Sequence, residues 1–248
     1  MKEIFSGSYY AFLVPLALLG TVSVNAQKKV THQDMLWMRY SGKYDVSKDW
    51  AINLELEDRR FAFPDRQQYW ILPRVAVSKS LGNNWSAGAG FVYYLSNSPA
   101  DPKVLTALTI PELRPYETLN YNQNIKKLHI THRYWLEERF IRKNDGRHLQ
   151  PGYTFNFRFR YQLVLEYPVT KSEKLKLRVA DEIFLNFGHS IVRNTFDQNR
   201  IYAGLNYALL KYIQVEADYI NQFQEKSNGD NYTDYDILRV TFLQTIHF

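Results

Sequence analysis

The sequence predicts an all-β chain closed as an antiparallel transmembrane β-barrel, and three observations predict it. Long segments alternate apolar and polar residues at period two, the connections between them alternate in length, and no run after residue 26 could make a spanning helix. Successive strand residues point to opposite faces. A strand crossing a bilayer therefore needs apolar side chains only at every second position, over about 9–11 residues. A chain that is polar on average, yet carries 19 Tyr, 15 Phe and 5 Trp, fits that economy of apolar residues.

Residues 1–26 read as a cleaved secretory signal peptide and 27–248 as the barrel domain. Lys2 precedes a mostly apolar run from Tyr10 to Val24, and Val24-Asn25-Ala26 puts small residues at the −3 and −1 positions of a cut before Gln27. An uncleaved anchor is the alternative, and the run is short for one, since a spanning helix takes about 20 apolar residues. There is no cysteine, which excludes a lipidated N-terminal cysteine, a disulfide framework and thiolate metal ligation. No linker divides residues 27–248.

The alternating segments follow in order. The first runs from Leu36 to Tyr44. In the second, Trp50, Ile52, Leu54 and Leu56 alternate with Ala51, Asn53, Glu55 and Glu57. A third runs from Tyr69 to Val77, a fourth from Trp85 to Leu95, a fifth from Glu112 to Tyr121 and a sixth from Leu128 to Glu137. The seventh is the clearest. Tyr153, Phe155, Phe157, Phe159, Tyr161, Leu163, Leu165 and Tyr167 share one face, with Thr154, Asn156, Arg158, Arg160, Gln162, Val164 and Glu166 on the other. Soluble strands usually run about 5–6 residues, so this length favours a membrane crossing. Leu175 to Phe187, Arg200 to Leu209, Ile213 to Ile220 and Tyr235 to Phe248 complete the set. Aromatic residues at segment ends, such as Trp50, Trp85 and Tyr167, suit interfacial girdles. Eleven segments are visible. Single-chain bacterial barrels usually have even strand numbers, so about 12 strands are expected, with 10 as the next choice and no plug domain.

Short connections fall at residues 45–49, 79–84, 122–126, 168–174 and 210–211, and longer polar ones at 61–66, 96–111, 142–152, 188–198 and 224–234. Outer-membrane barrels have short periplasmic turns and long outer loops, so the last strand should run toward the periplasm. It ends at Phe248, and a terminal aromatic on an alternating strand resembles the signal read by the barrel-assembly machinery, an expected partner.

Several stretches carry a family likeness. They are Leu113-Arg114-Pro115-Tyr116-Glu117, His132-Arg133-Tyr134-Trp135-Leu136-Glu137-Glu138-Arg139-Phe140, Asp181-Glu182-Ile183-Phe184-Leu185-Asn186-Phe187-Gly188, and Phe196-Asp197-Gln198-Asn199-Arg200-Ile201-Tyr202-Ala203-Gly204-Leu205. Over most of residues 27–248 the chain resembles an uncharacterised family of outer-membrane β-barrels common in Bacteroidetes, a domain of unknown function. The resemblance implies a barrel in the bacterial outer membrane. It implies no chemistry.

If the aromatic face meets lipid, the opposite face lines the lumen. Candidates there are Arg133, Glu137, Arg139, Arg158, Arg160, Glu166, Glu182 and Arg200, within a wider set that includes Arg39, Glu55, Glu57, Arg74, Lys176, Arg178, Glu216 and Asp218. Facing lipid, an Arg or Lys at the midplane costs about 2–4 kcal/mol, so facing inward is the cheaper arrangement. These groups could fill the interior as mutually satisfied pairs, a structural role. They could instead line a narrow diffusion channel for small solutes, with Gly88, Gly90 and Gly204 leaving room.

An outer-membrane acyl hydrolase acting on lipid or lipopolysaccharide is an alternative, resting on His189-Ser190 with Asp181 or Glu182 as orienting acid. A secreted soluble all-β binding protein is another. His129 and His132 fall on opposite faces of one strand, which argues against joint metal ligation, and no cofactor motif is present. The basic stretch Arg142, Lys143 and Arg147 is either a solvated turn or a contact for lipopolysaccharide phosphates, which Arg binds well. The net charge of +6 therefore points to acidic membrane glycolipid rather than to nucleic acid, which an exported chain rarely meets.

Overall fold

A computed structural model describes residues 29–248, with residues 66–72 described by their backbone. The expected leader, residues 1–26, lies outside the described residues. Among the described residues there are eleven strands: β1 (Lys29–Asp45), β2 (Trp50–Phe61), β3 (Arg66–Gly82), β4 (Trp85–Ser98), β5 (Leu108–Ile125), β6 (Leu128–Asn144), β7 (Leu149–Pro168), β8 (Leu175–Phe187), β9 (Phe196–Leu210), β10 (Ile213–Glu225) and β11 (Asn231–His247). Each pairs antiparallel with its sequence neighbours, and β1 closes the barrel on β11.

The structure thus has one strand fewer than the about twelve expected. Eleven strands in an up-and-down series leave the first and last running the same way, so β1 and β11 pair in parallel from Lys29–Asn231 to Asp45–His247. Parallel ladders satisfy the backbone as fully as antiparallel ones. The odd count therefore leaves no open edge.

The register also fixes the shape. From Asp45 the hydrogen-bonded row passes to Ala51, Ser78, Gly88, Thr118 and Trp135. It continues through Arg160, Phe184, Gln198, Gln224 and Thr233 and returns to β1 at Thr31. The stagger is fourteen residues from Asp45 to Thr31. Stagger and strand tilt are linked, and closed barrels tilt their strands by roughly 35–45°.

All eleven alternating segments are strands, and most run further than the alternation shows. β2 continues through Asp58, Arg59 and Arg60, and β6 and β7 continue to Asn144 and from Leu149. Two of the expected long connections are therefore tight turns, at residues 62–65 and 145–148. The reason is that the outward face turns polar above the apolar belt, at Asp58, Asp236 and Asn221, while backbone pairing carries on. Connections 99–107, 188–195 and 226–230 remain the longer ones at that end.

The outside is apolar, with Val75, Val77, Leu177, Val179, Leu205, Leu238 and Phe242 all exposed. The inside buries Arg158, Arg160, Glu137 and Glu182 beside Trp37, Ile220 and Ile237. Gly90 does not leave open lumen: a side chain there would collide with the Tyr116 ring and with backbone of β3, and at Gly204 with Asp218. These glycines admit neighbouring side chains at close approach.

Candidate functional site

The interior is built around Glu137 of β6. Its carboxylate accepts hydrogen bonds from Arg158 at 2.6 Å and Arg160 at 2.8 Å, and the Arg114 guanidinium lies 3.7 Å away. Arg158 also donates to Asp197 at 2.8 Å. Arg160 reaches Glu182 at 2.5 Å, and the Tyr202 hydroxyl donates to the same carboxylate at 2.7 Å. Beside them Glu112 accepts from Arg114 and Arg139, both at 2.8 Å. Strand register explains the set. Glu137 faces Arg158 directly, and Gln162, Glu182 and Arg200 succeed one another along a single row.

A second group holds Arg74 on Glu55 at 2.7 Å, and Arg39 between Glu55 and Glu216 at 3.9 and 3.5 Å. Arg178 and Arg239 both meet Asp218, at 3.1 and 2.6 Å. Planar guanidiniums also cover ring faces: Arg160 sits 3.8 Å from the Trp135 ring centroid, and Arg59 sits 3.8 Å from that of Trp37. Such stacking suits Arg, whose weakly hydrated plane tolerates burial.

Two cations stand apart. Arg133 donates to the Gln162 amide oxygen at 3.4 Å and lies over Trp135 at 4.8 Å. Arg200 donates to Gln222 at 2.8 Å and lies over Trp37 at 5.1 Å. Neither forms an ion pair among the described residues, and the indole N–H groups of Trp37 and Trp135 are buried without a partner. All four side chains except Trp37 line a cavity of about 1080 Å³. It reaches the end of the longer connections, where Ala100, Ile191 and Ser227 line it. Toward the short connections several inward positions on β1, β2, β4 and β5 are small and half-buried: Ser41, Asn53, Ser86, Gly88 and Thr118.

All the lumen candidates point inward. Arg133, Arg139, Arg158, Arg160, Glu182 and Arg200 line the cavity; Glu137 is buried behind its arginines, and Glu166 sits toward the short-connection end, outside the lining. Sequence reasoning missed Arg59, Glu112, Arg114, Asp197 and Arg239. Glu112 and Arg114 share parity with inward Tyr116, a signal that was present. Arg59 lies past the visible alternation of β2.

His189 and Ser190 share no hydrogen bond among the described residues. Ser190 donates its hydroxyl to the Phe155 backbone carbonyl, Asp181 accepts from Asn199 at 2.7 Å, and Glu182 is held by Arg160 and Tyr202. His132 faces outward, bonded to Gln123 and Tyr161, while His129 bonds Asn124 at the β5–β6 turn. Arg142, Lys143 and Arg147 crown the β6–β7 hairpin, with Arg142 over the Tyr153 ring at 5.4 Å.

The class defined here is a closed single-chain β-barrel with an apolar outside and an arginine-rich, ion-paired inside. The chain belongs to the family described as protein of unknown function (DUF2490), whose profile matches residues 34–233. Among solved structures it is similar to the NanC porin in a rhombohedral crystal form, with 11% sequence identity and a TM-score of 0.48 over 80% of this chain and 91% of that one. No curated protein matches the chain.

Proposed function

We propose that this protein is an outer-membrane β-barrel acting as a narrow channel that favours small anionic solutes. The observation that carries this reading is the surplus of hydrogen-bond donors in the cavity wall. Arg133 and Arg200 face the cavity with donor capacity that no carboxylate consumes. Charge-assisted hydrogen bonds from guanidinium are the strong ones, and an entering carboxylate or phosphate would offer both arginines an anionic acceptor in place of an amide. The apolar exterior supports membrane residence over the soluble secreted alternative, because a soluble monomer rarely exposes an apolar face of that extent.

The test is liposome swelling with a size series of sugars, alongside the reversal potential of a planar bilayer under a KCl gradient. Size-limited swelling and a reversal potential of chloride sign are expected, and Arg133→Gln with Arg200→Gln should reduce that preference. No swelling by folded, inserted protein would overturn the channel. A cation-selective current would overturn the solute class.

A further inference from the structure

The apolar outer surface is not level around the barrel. On β2 the outward positions Trp50, Ile52, Leu54 and Leu56 are apolar, and Asp58 and Arg60 follow, joined by an ion pair. On β10 the run is Ile213, Val215, Ala217 and Tyr219, followed by Asn221. On β7 it continues through seven outward positions, from Tyr167 up to Phe155. All three runs begin beside short connections. β7 therefore carries its apolar face six strand residues higher, roughly 14 Å along the axis at about 3.3 Å per residue and a tilt near 45°. Its run spans roughly 28 Å, more than the band of about 25 Å usual in outer-membrane barrels.

The raised part is a run of phenyl rings in mutual contact, beside which the outward Glu138 of β6 stands opposite Phe157. Phe140 and Phe155 have centroids 4.8 Å apart, Phe155 and Phe157 4.8 Å, and Phe157 and Phe187 5.4 Å. Phe155 and Phe187 are exposed. Directly above lies the β6–β7 hairpin tip, which stands clear of its neighbours: β8 pairs with β7 only from Phe157, and β5 pairs with β6 only as far as Ile141.

The tip carries Arg142, Lys143 and Arg147, none of which forms an ion pair among the described residues. The carboxylate within the turn, Asp145, is occupied by the backbone N–H groups of Arg147 and His148 at 2.9 and 2.8 Å and by Gln150 at 2.6 Å. The three cations therefore keep their donors for a ligand.

We infer that the outer face of the β6–β7 hairpin, with Phe187 of β8, is a binding site for a phosphorylated glycolipid of the outer leaflet. Its acyl chains pack on the Phe140, Phe155, Phe157 and Phe187 strip, and its phosphates sit on Arg142, Lys143 and Arg147. A soluble anion has no use for the phenyl strip, and an uncharged lipid has none for the cations. Only an amphiphile carrying phosphate beside its acyl chains engages both. The strip is continuous below with the lipid-facing surface, so the ligand binds from within the leaflet. This inference rests on the outer-membrane reading, but not on the channel.

The test is native mass spectrometry of the detergent-solubilised barrel incubated with diphosphorylated lipid A, with phosphate-free lipid A, and with phosphatidylethanolamine. Selective retention of the diphosphorylated species is expected. Arg142→Gln, Lys143→Gln and Arg147→Gln together should weaken it at least tenfold, and Phe155→Ala alone should weaken it with the cations intact. Equal retention of the phosphate-free lipid, or unchanged retention by the triple variant, would overturn the site. Swelling of liposomes by the same preparations separates the readings. A barrel that inserts and swells them without retaining lipid A removes the site alone, whereas one that enters no bilayer removes the outer-membrane reading with it.

Discussion

Glu137 and Glu166 are inward carboxylates of the same barrel with different consequences. Glu137 is buried and held by Arg158 and Arg160, with Arg114 close by, so its loss leaves three guanidiniums short of a counter-charge. Removing one member of a buried ion pair typically costs 3–5 kcal/mol, because the remaining charge stays desolvated. Glu137→Ala should therefore lower the midpoint of the heat-dependent gel shift of the folded barrel by a cost of about that size. Glu166 forms no ion pair among the described residues and sits half-buried toward the short connections. Glu166→Ala should stay within about 0.5 kcal/mol, as substitutions away from such networks usually do. Equal effects from both substitutions would mean that the pairs around Glu137 contribute nothing special.

At the level of strands, alternation made the faces of β7 legible residue by residue, because an apolar outside and a charged inside impose opposite chemistry on successive positions. Strand ends were less legible. Asp58 and Arg60 on β2, and Asp236 and Asp234 on β11, face outward above the apolar belt, where nothing forces alternation although the backbone is still paired. The inner pairing was not legible at all, since which Arg meets Glu137 depends on a register and stagger set by the whole ring. Turn 145–148 supplies a prediction at this scale. The backbone N–H of His148, then that of Arg147, holds the Asp145 carboxyl below its ordinary value of 3.8. A carboxyl depressed in the folded state takes its proton more readily when unfolded. Its contribution to the turn is thus full above about pH 4 and is lost as pH falls through the lowered value. The amide resonances of Arg147 and His148 should titrate together with a midpoint below 3.8. A midpoint at or above it would mean that those amides do not hold the carboxylate.

For the molecule as a whole, the decisive feature is the seam. Eleven segments are visible in the sequence, and the usual evenness of bacterial barrels argued them up to twelve. The closed register resolves the parity with one parallel pair, β1 on β11, and needs no further strand. The consequence is geometric: β1 begins at the end of the longer connections, and Leu36 stands opposite Leu238 on the outer face. An antiparallel closure through another strand would separate the two by at least one strand spacing of about 4.8 Å beyond direct contact, taking their Cα atoms past the roughly 7 Å limit for a disulfide. The sequence has no cysteine, so a pair introduced there reports on the seam alone. Leu36→Cys with Leu238→Cys should oxidise readily to an internal cross-link that alters mobility on a denaturing gel and reverts with reductant. Leu36→Cys with Phe242→Cys, four residues off register, should not. Cross-linking of the second pair in preference to the first would displace the register and with it the fourteen-residue stagger. Failure of the first pair in a folded barrel would mean that β1 does not close on β11, and the even-numbered expectation would return.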